Sequence, residues 1–80
     1  MVRVLLFGRL GDVAGWRERT IDPAPESLSA LKATLSSDSA LGEALAAEGV
    51  QATIDMVLVR GDMALPAGSE VAFLPPMSGG

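Results

Sequence analysis

The stretch Phe73-Leu74-Pro75-Pro76-Met77-Ser78-Gly79-Gly80 closes the sequence and indicates how the preceding residues are arranged. An apolar strand runs into two prolines, which fix their own φ angles and favour an extended conformation before them. In polyproline II geometry a chain gains about 3.1 Å per residue, so the six residues after Leu74 can reach roughly 18 Å from the domain. Neither terminal glycine has a β-carbon, so the tip can enter a channel too narrow for other residues. We therefore predict one domain over residues 1–74 and an extended tail over residues 75–80.

The tail would present the α-carboxylate of Gly80, and an unhindered carboxylate favours chemistry done on this protein by a partner. A partner enzyme that adenylates this group with ATP makes it an acyl donor, and a sulfur nucleophile then leaves a thiocarboxylate. The alternative is that Gly79-Gly80 is only a flexible terminus. The preceding Pro75-Pro76 pair and the apolar strand before it favour the functional interpretation.

Composition excludes several classes of protein. The chain has 80 residues, enough for one small domain, and contains no cysteine and no histidine. A disulfide framework, a thiolate metal site and a histidine general base are therefore absent, so we expect no bound metal, no bound cofactor and no catalytic group of its own. The net charge of −4 argues against nucleic-acid binding. No apolar run is long enough for a signal peptide or a membrane span, which predicts a cytoplasmic protein.

Apolar periodicity predicts strands on both sides of a helix. Residues 2–7 form a first strand, residues 8–15 a glycine-rich turn, and residues 17–21 a second strand that pairs antiparallel with the first. Ser27 is suited to cap a helix over residues 28–36, whose leucines recur at helical spacing.

The second half predicts a short helix and further strands. Ser37-Asp38-Ser39 can cap the short helix, and Gly49 would end it. Residues 50–59 are β-rich, with a turn near Asp55-Met56, and residues 70–74 form the last strand. This order is that of an α+β, β-grasp (ubiquitin-like) fold, with a mixed sheet of four or five strands, one main helix and one short helix. The first and last strands would be adjacent and parallel.

Charged residues show which side of each predicted strand faces water, because side chains alternate along a strand. Arg3, Arg60 and Glu70 each mark the outward side of their strand. The outward positions then include an apolar set that we call the apolar patch: Leu5, Phe7, Leu58, Ala72 and Leu74. The opposite parity predicts a core that includes Val2, Val4, Leu6, Val57, Val59, Val71 and Phe73. A contiguous apolar patch on a small domain usually marks a partner surface, although a helix or loop covering this face would remove it.

Three stretches of the sequence resemble a known family. Val4-Leu5-Leu6-Phe7, the Ala14-Gly15 pair and above all the ending from Gly68 to Gly80 are similar to the small subunit of molybdopterin synthase (MoaD). The thiamine-pathway carrier (ThiS) shares the fold and the diglycine but usually lacks the Pro-Pro step. Two positions depart from the MoaD pattern: Gly11 stands where a basic residue is common, and Asp55 stands where an asparagine usually precedes a turn.

The resemblance implies a sulfur carrier of molybdenum cofactor biosynthesis. A MoeB-like adenylating enzyme would activate Gly80 with ATP, and a sulfur-donor protein would supply the thiocarboxylate. The tail (Pro75, Pro76, Met77, Ser78 and Gly79) would enter the active site of a MoaE-like large subunit in a heterotetramer, where two sulfurs convert cyclic pyranopterin monophosphate to molybdopterin. By position, Phe7, Leu58 and Leu74 match the apolar docking residues of the family.

Two other interpretations remain open. In the first, the chain is a ThiS-like carrier for thiamine thiazole synthesis. In the second, it is a ubiquitin-like interaction module or a modifier conjugated through Gly80. Lys32 is its only lysine, which argues against a modifier that builds chains on itself.

Overall fold

The computed structural model describes residues 1–76, which form an α+β fold of five strands and three helices. The elements in chain order are β1 (Val2–Leu6), α1 (Arg9–Ala14), β2 (Glu18–Ile21), α2 (Leu28–Leu35), α3 (Ser39–Ala46), β3 (Gln51–Ile54), β4 (Val57–Val59) and β5 (Glu70–Leu74). No helix within this described part is long and apolar enough to cross a membrane.

The last strand, β5, is the centre of the sheet. The strand order is β2-β1-β5-β3-β4, with β5 parallel to β1 and antiparallel to β3. The two outer strands, β2 and β4, pair antiparallel with β1 and β3. This arrangement confirms the predicted mixed β-grasp sheet and the parallel pairing of the first and last strands. The end of β1, the end of β5 and the start of β3 lie together at the end of the sheet where β5 leads into Pro75.

The segment over residues 8–15 was predicted to be a turn, and this prediction is wrong, because the segment contains helix α1. Leu10 is buried in the core, which gives the short helix a reason to form. Gly15 ends it in the left-handed conformation with φ of 84°, and its N–H donates to the carbonyl of Gly11. Two of the three glycines therefore lie at or beside the ends of the helix rather than in a continuous turn.

Helix α2 begins as predicted at the Ser27 cap. The Ser27 hydroxyl accepts from the N–H of Ala30, and the carboxylate of Asp62 accepts from the N–H of Ser29 at 2.9 Å. The Leu28 N–H donates to the carbonyl of Met63. Because the first amides of the helix have acceptors from two different segments, this end of α2 is fixed to the loop that precedes β5.

The short helix α3 is also confirmed, with Asp38 as its cap. It ends at Ala46, three residues before the glycine that was predicted to terminate it. Gly49 lies instead in the loop before β3, with φ of 90°.

The core lies between one face of the sheet and the helices. It is built from leucines of the helices and from alternating strand residues: Val2, Val4, Leu6, Leu10, Leu28, Leu31, Leu35, Leu41, Leu45, Ala52, Ile54, Leu65, Val71 and Phe73. The prediction that Val57 belongs to this core is wrong, because Val57 is 64% exposed. It pairs with Ile54 and so has the predicted parity, but β4 is an edge strand and the core does not extend to its first residue. Val59 is half-buried against the core.

The turn predicted near Asp55-Met56 is confirmed. Both residues have positive φ, 49° and 70°, and they connect β3 to β4. The Asp55 carboxylate accepts from the N–H of Glu70 at 2.9 Å, while the Asp55 N–H donates to the Glu70 carbonyl at 2.8 Å. An aspartate therefore adopts the left-handed turn conformation that asparagine also tolerates, and it ties the turn to β5.

Candidate functional site

The apolar patch lies on the face of the sheet opposite the core. In the strand register, Leu5 is beside Ala72, Ala72 is beside Thr53, and Thr53 is beside Leu58. These four residues form one row across β1, β5, β3 and β4. Neighbouring strands are about 4.8 Å apart, so the row extends over roughly 14 Å.

The members of the patch differ in exposure. Phe7 is 45% exposed and Leu58 is 44% exposed, whereas Leu5 and Leu74 are half-buried. The prediction that Ala72 is exposed is wrong, since only 8% of it is accessible. Ala72 lies in the central strand with larger residues on both sides, so its methyl group forms the floor of the patch and little of it reaches the surface.

Phe7 and Leu74 extend the patch toward the tail. Phe7 follows β1 directly, and its N–H donates to the carbonyl of Phe73 at 3.1 Å, which continues the parallel pairing beyond the strand. Leu74 is the last residue of β5 and pairs with Gln51. Apolar side chains therefore border the point from which the tail leaves the domain.

The opposite end of the same face is charged. Arg3 pairs with Glu70 in the register, and its guanidinium forms an ion pair with that carboxylate and a longer one, of 3.7 Å, with Glu18. The hydrogen bond and the charge of Glu70 raise the pKa of Arg3. The patch is thus limited on one side by an ion-pair network and is open on the side of the tail.

Of the predicted tail residues, the structure describes Pro75 and Pro76. Pro75 is half-buried and Pro76 is exposed, directly after the end of β5. Gly80, the predicted site of adenylation, lies outside the described residues, as do Met77, Ser78 and Gly79. The structure therefore shows where the tail begins and which residues surround that point.

Gly11, the first departure from the MoaD pattern, is buried beneath Arg17. A β-carbon at Gly11 would lie 2.6 Å from a guanidinium nitrogen of Arg17, so any side chain there would displace the arginine. The same guanidinium donates to the carbonyl of Gly8 at 3.1 Å and forms an ion pair with Asp12 at 2.6 Å. The Arg17 guanidinium therefore lies over Gly11, between the Gly8 carbonyl and the Asp12 carboxylate.

The described residues hold no arrangement for metal chemistry. Within residues 1–76, no group of three or more acidic side chains is positioned to bind a metal ion. The described part of the site consists of the apolar patch and the point where β5 leads into Pro75.

Sequence reasoning missed Thr53, which lies between Ala72 and Leu58 in the central row. The signal was available, because Ala52 and Ile54 are apolar residues in a predicted strand and alternation places the residue between them outward. It also missed the contacts of Gly8 and Gly49 with the two prolines. Those contacts join residues more than 25 positions apart, and the local sequence carries no signal for them.

Solved structures of three archaeal proteins share this fold. Small archaeal modifier protein 1 from Haloferax volcanii is 26% identical with a TM-score of 0.77, over 99% of this chain and 98% of that one. Its namesake from Methanosarcina acetivorans is 22% identical with a TM-score of 0.79, over 99% and 95%. A putative molybdopterin converting factor, subunit 1, from Pyrococcus furiosus is 23% identical with a TM-score of 0.75, over 95% and 97%. The last two likenesses concern the fold alone.

No curated protein sequence matches this chain. The model of the ThiS family, by contrast, matches residues 4–80, which include most of β1, the other four strands of the sheet, the two prolines and the diglycine. With its β-grasp sheet and its diglycine ending, this chain belongs to the ThiS family of small ubiquitin-like proteins.

Proposed function

We propose that this protein is a sulfur carrier and the small subunit of a molybdopterin synthase. The observation that carries the proposal is the position of β5, the central strand, whose end leads directly into Pro75 and Pro76 beside the exposed Phe7. A partner that covers the apolar patch would receive the tail at the edge of the same contact. Membership of the ThiS family and the Pro-Pro-x-x-Gly-Gly ending support this function.

The proposed chemistry takes place on Gly80, in the active sites of partners. A carboxylate oxygen attacks the α-phosphorus of ATP and displaces pyrophosphate, which leaves an acyl adenylate. A sulfide equivalent from a sulfur-donor protein then attacks the acyl carbon, expels AMP and leaves a thiocarboxylate. In the large subunit the thiocarboxylate sulfur attacks a carbon of cyclic pyranopterin monophosphate and displaces an oxygen substituent, which gives a thioester to Gly80. Water then hydrolyses the thioester, so that the sulfur stays on the pterin and the glycine returns to a carboxylate. ATP is thus a substrate of the MoeB-like enzyme and not a ligand of this chain.

Intact-mass measurement tests the carrier step. The chain is incubated with an adenylating enzyme, ATP and a sulfur source, and the expected product has one oxygen replaced by sulfur at Gly80. Omission of ATP is the control and leaves the mass unchanged. An unchanged mass with an enzyme that thiolates another carrier in the same mixture contradicts the proposal.

A protein modifier is the second candidate, and the likeness to small archaeal modifier protein 1 favours it. Both functions begin with adenylation of Gly80, but a modifier ends in an amide bond to a lysine of another protein. A product that is heavier by a whole target protein supports the modifier, and a thiocarboxylate consumed by a large subunit supports the carrier.

A ThiS-like role in thiamine thiazole synthesis differs only in the acceptor. The thiocarboxylate form, offered separately to a molybdopterin synthase large subunit and to a thiazole synthase, is expected to react with the first. Consumption by the thiazole synthase alone would assign the chain to the thiamine pathway.

A further inference from the structure

The two prolines that begin the tail contact two glycines. A β-carbon built on Gly8 would lie 2.9 Å from Cγ of Pro75, and one built on Gly49 would lie 2.7 Å from Cβ of Pro76. Real β-carbons almost never approach another heavy atom to less than 3.0 Å. The backbone of both glycines therefore lies against the proline rings in a space that no other residue type would leave free.

The glycines approach the prolines from both sides of β5. Gly8 follows β1, Gly49 precedes β3, and β1 and β3 are the two neighbours of β5 in the sheet. The register places the end of β1, the end of β5 and the start of β3 at the same end of the sheet. The start of the tail therefore lies between the loop after β1 and the loop before β3.

The two contacts differ in how far the proline would have to move to make room for an added β-carbon. At Gly8 the nearest atom is Cγ of Pro75, which is two bonds from the backbone Cα, and a change of ring pucker can move it. At Gly49 the nearest atom is Cβ of Pro76, which is bonded directly to the backbone Cα, so ring pucker relieves the contact less and the tail backbone would have to shift. Gly49 is therefore the position at which an added methyl group would redirect the chain.

We propose that Gly49 is a positioning residue for the tail, and that together with Gly8 it sets the direction in which the chain leaves the sheet at Pro75 and Pro76. The inference rests on the proposed delivery of Gly80 to the active sites of partners. A displacement near 1 Å at the reacting atom can cost about a hundredfold in rate, so a redirected tail would slow chemistry without weakening the contact made by the apolar patch.

The chain supplies matched controls for this test. Gly15, Gly61 and Gly68 have φ of 84°, 78° and 79°, close to the 90° of Gly49, but a β-carbon on any of them would have no neighbour within 4 Å. A Gly→Ala change at these positions carries a similar backbone cost without contact to the tail. Gly15→Ala and Gly68→Ala therefore separate loss of stability from redirection of the tail.

The experiment compares Gly49→Ala with Gly15→Ala and Gly68→Ala in the full chain. We expect similar melting temperatures for the three variants, and a single-turnover adenylation rate at least tenfold lower for Gly49→Ala alone. The dissociation constant for the large subunit should remain within about twofold of native, because the patch is untouched. Equal rates for Gly49→Ala and the control variants would overturn the proposal.

A double-mutant cycle with Pro76→Gly identifies the contact itself. Pro76→Gly removes the ring that Gly49→Ala would strike, so Gly49→Ala should slow adenylation much less in that background than in the native one. Equal slowing in both backgrounds would show that Gly49 acts through something other than Pro76.

Backbone amide chemical shifts of Met77 and Ser78 give a reading that needs no partner enzyme. Gly49→Ala should move these signals, and Gly15→Ala and Gly68→Ala should leave them in place. If no form of the chain is adenylated, the proposed function fails, but the shifts still decide whether Gly49 positions the tail. Unmoved signals in Gly49→Ala would overturn the inference even if the carrier function holds.

Discussion

Ile54 and Val57 are paired directly across the β3–β4 turn and point to the same face of the sheet, yet Ile54 is 9% exposed and Val57 is 64% exposed. The difference marks the edge of the core. β3 lies inside the sheet between β5 and β4, whereas β4 has no neighbour on its far side among the described strands. The first residue of β4 therefore has core parity without core burial.

We predict that Val57→Asp is tolerated and that Val71→Asp unfolds the domain. Val57 keeps its side chain in water, so the change should cost about 1 kcal/mol or less. Val71 is fully buried in β5, and an unpaired buried charge costs several kcal/mol, against a total stability of roughly 4 to 12 kcal/mol for a domain of this size. Urea denaturation measures both, and a folded, stable Val71→Asp would contradict the placement of the core.

The adjacent residue tests the apolar patch. We predict that Leu58→Asp leaves the fold intact but abolishes association with the large subunit, because a carboxylate desolvated in an apolar interface costs several kcal/mol. Val57→Asp is the matched control, since Val57 and Leu58 are neighbours in one short strand and point to opposite faces. Calorimetric titration of both variants should show binding lost only for Leu58→Asp. Equal loss from both variants would mean that the partner does not recognise this face.

Much of the fold could be predicted from local sequence. The last strand was predicted at its observed bounds, the Ser27 cap and the helix behind it follow from residue chemistry, and Asp55-Met56 is a turn as predicted. Each of these features depends on residues that are close in the sequence. The outward direction of Leu58 also followed, because alternation along a strand is a local property.

The errors arise from long-range packing. Helix α1 contains glycine, and its reason to form is the burial of Leu10 against a core that the local sequence does not reveal. The exposure of Val57 depends on where the sheet ends, and the burial of Ala72 depends on larger neighbours in two other strands. The contacts of Gly8 and Gly49 with the two prolines form only when the loop after β1, the loop before β3 and the end of β5 are all in their folded positions.

Asp62 gives the fold a specific dependence on pH. Its carboxylate accepts from the N–H of Ser29 at 2.9 Å and from the Ser29 hydroxyl at 2.8 Å, and these bonds lower the pKa of Asp62. A lowered folded-state pKa stabilises the domain above the ordinary aspartate pKa, and this contribution is lost as the pH falls through the lowered value.

We therefore predict that Asp62→Asn destabilises the domain at pH 7 and that the difference from native shrinks below about pH 4. Thermal unfolding at a series of pH values measures this. Ser29→Ala removes one of the two bonds and should show a smaller effect with the same direction. A difference that grows as the solution becomes more acidic would show that Asp62 does not act through its charge.

The shape of the tail tip can be tested separately from its charge. We predict that Gly79→Ala binds the large subunit with a near-native dissociation constant, since the patch is unchanged, but is adenylated or consumed far more slowly. One added methyl group in a narrow channel displaces the reacting carbonyl, and about 1 Å of displacement can cost a hundredfold. Ser78→Ala, which changes a side chain without adding a β-carbon, is the control and should react close to the native rate.

Extension of the chain by one residue after Gly80 is the stronger form of the same test. An added residue moves the terminal carboxylate by about 3.3 to 3.6 Å in an extended chain, which is more than any active site that holds a near-attack geometry can accept. Adenylation and sulfur transfer should both be lost, while the dissociation constant for the large subunit remains close to native. Single-turnover rates measured beside equilibrium binding separate the two effects. If Gly79→Ala and the extended chain both react at the native rate, the tail is recognised without regard to its shape, and neither the diglycine nor the proline contacts with Gly49 determine delivery of the carboxylate.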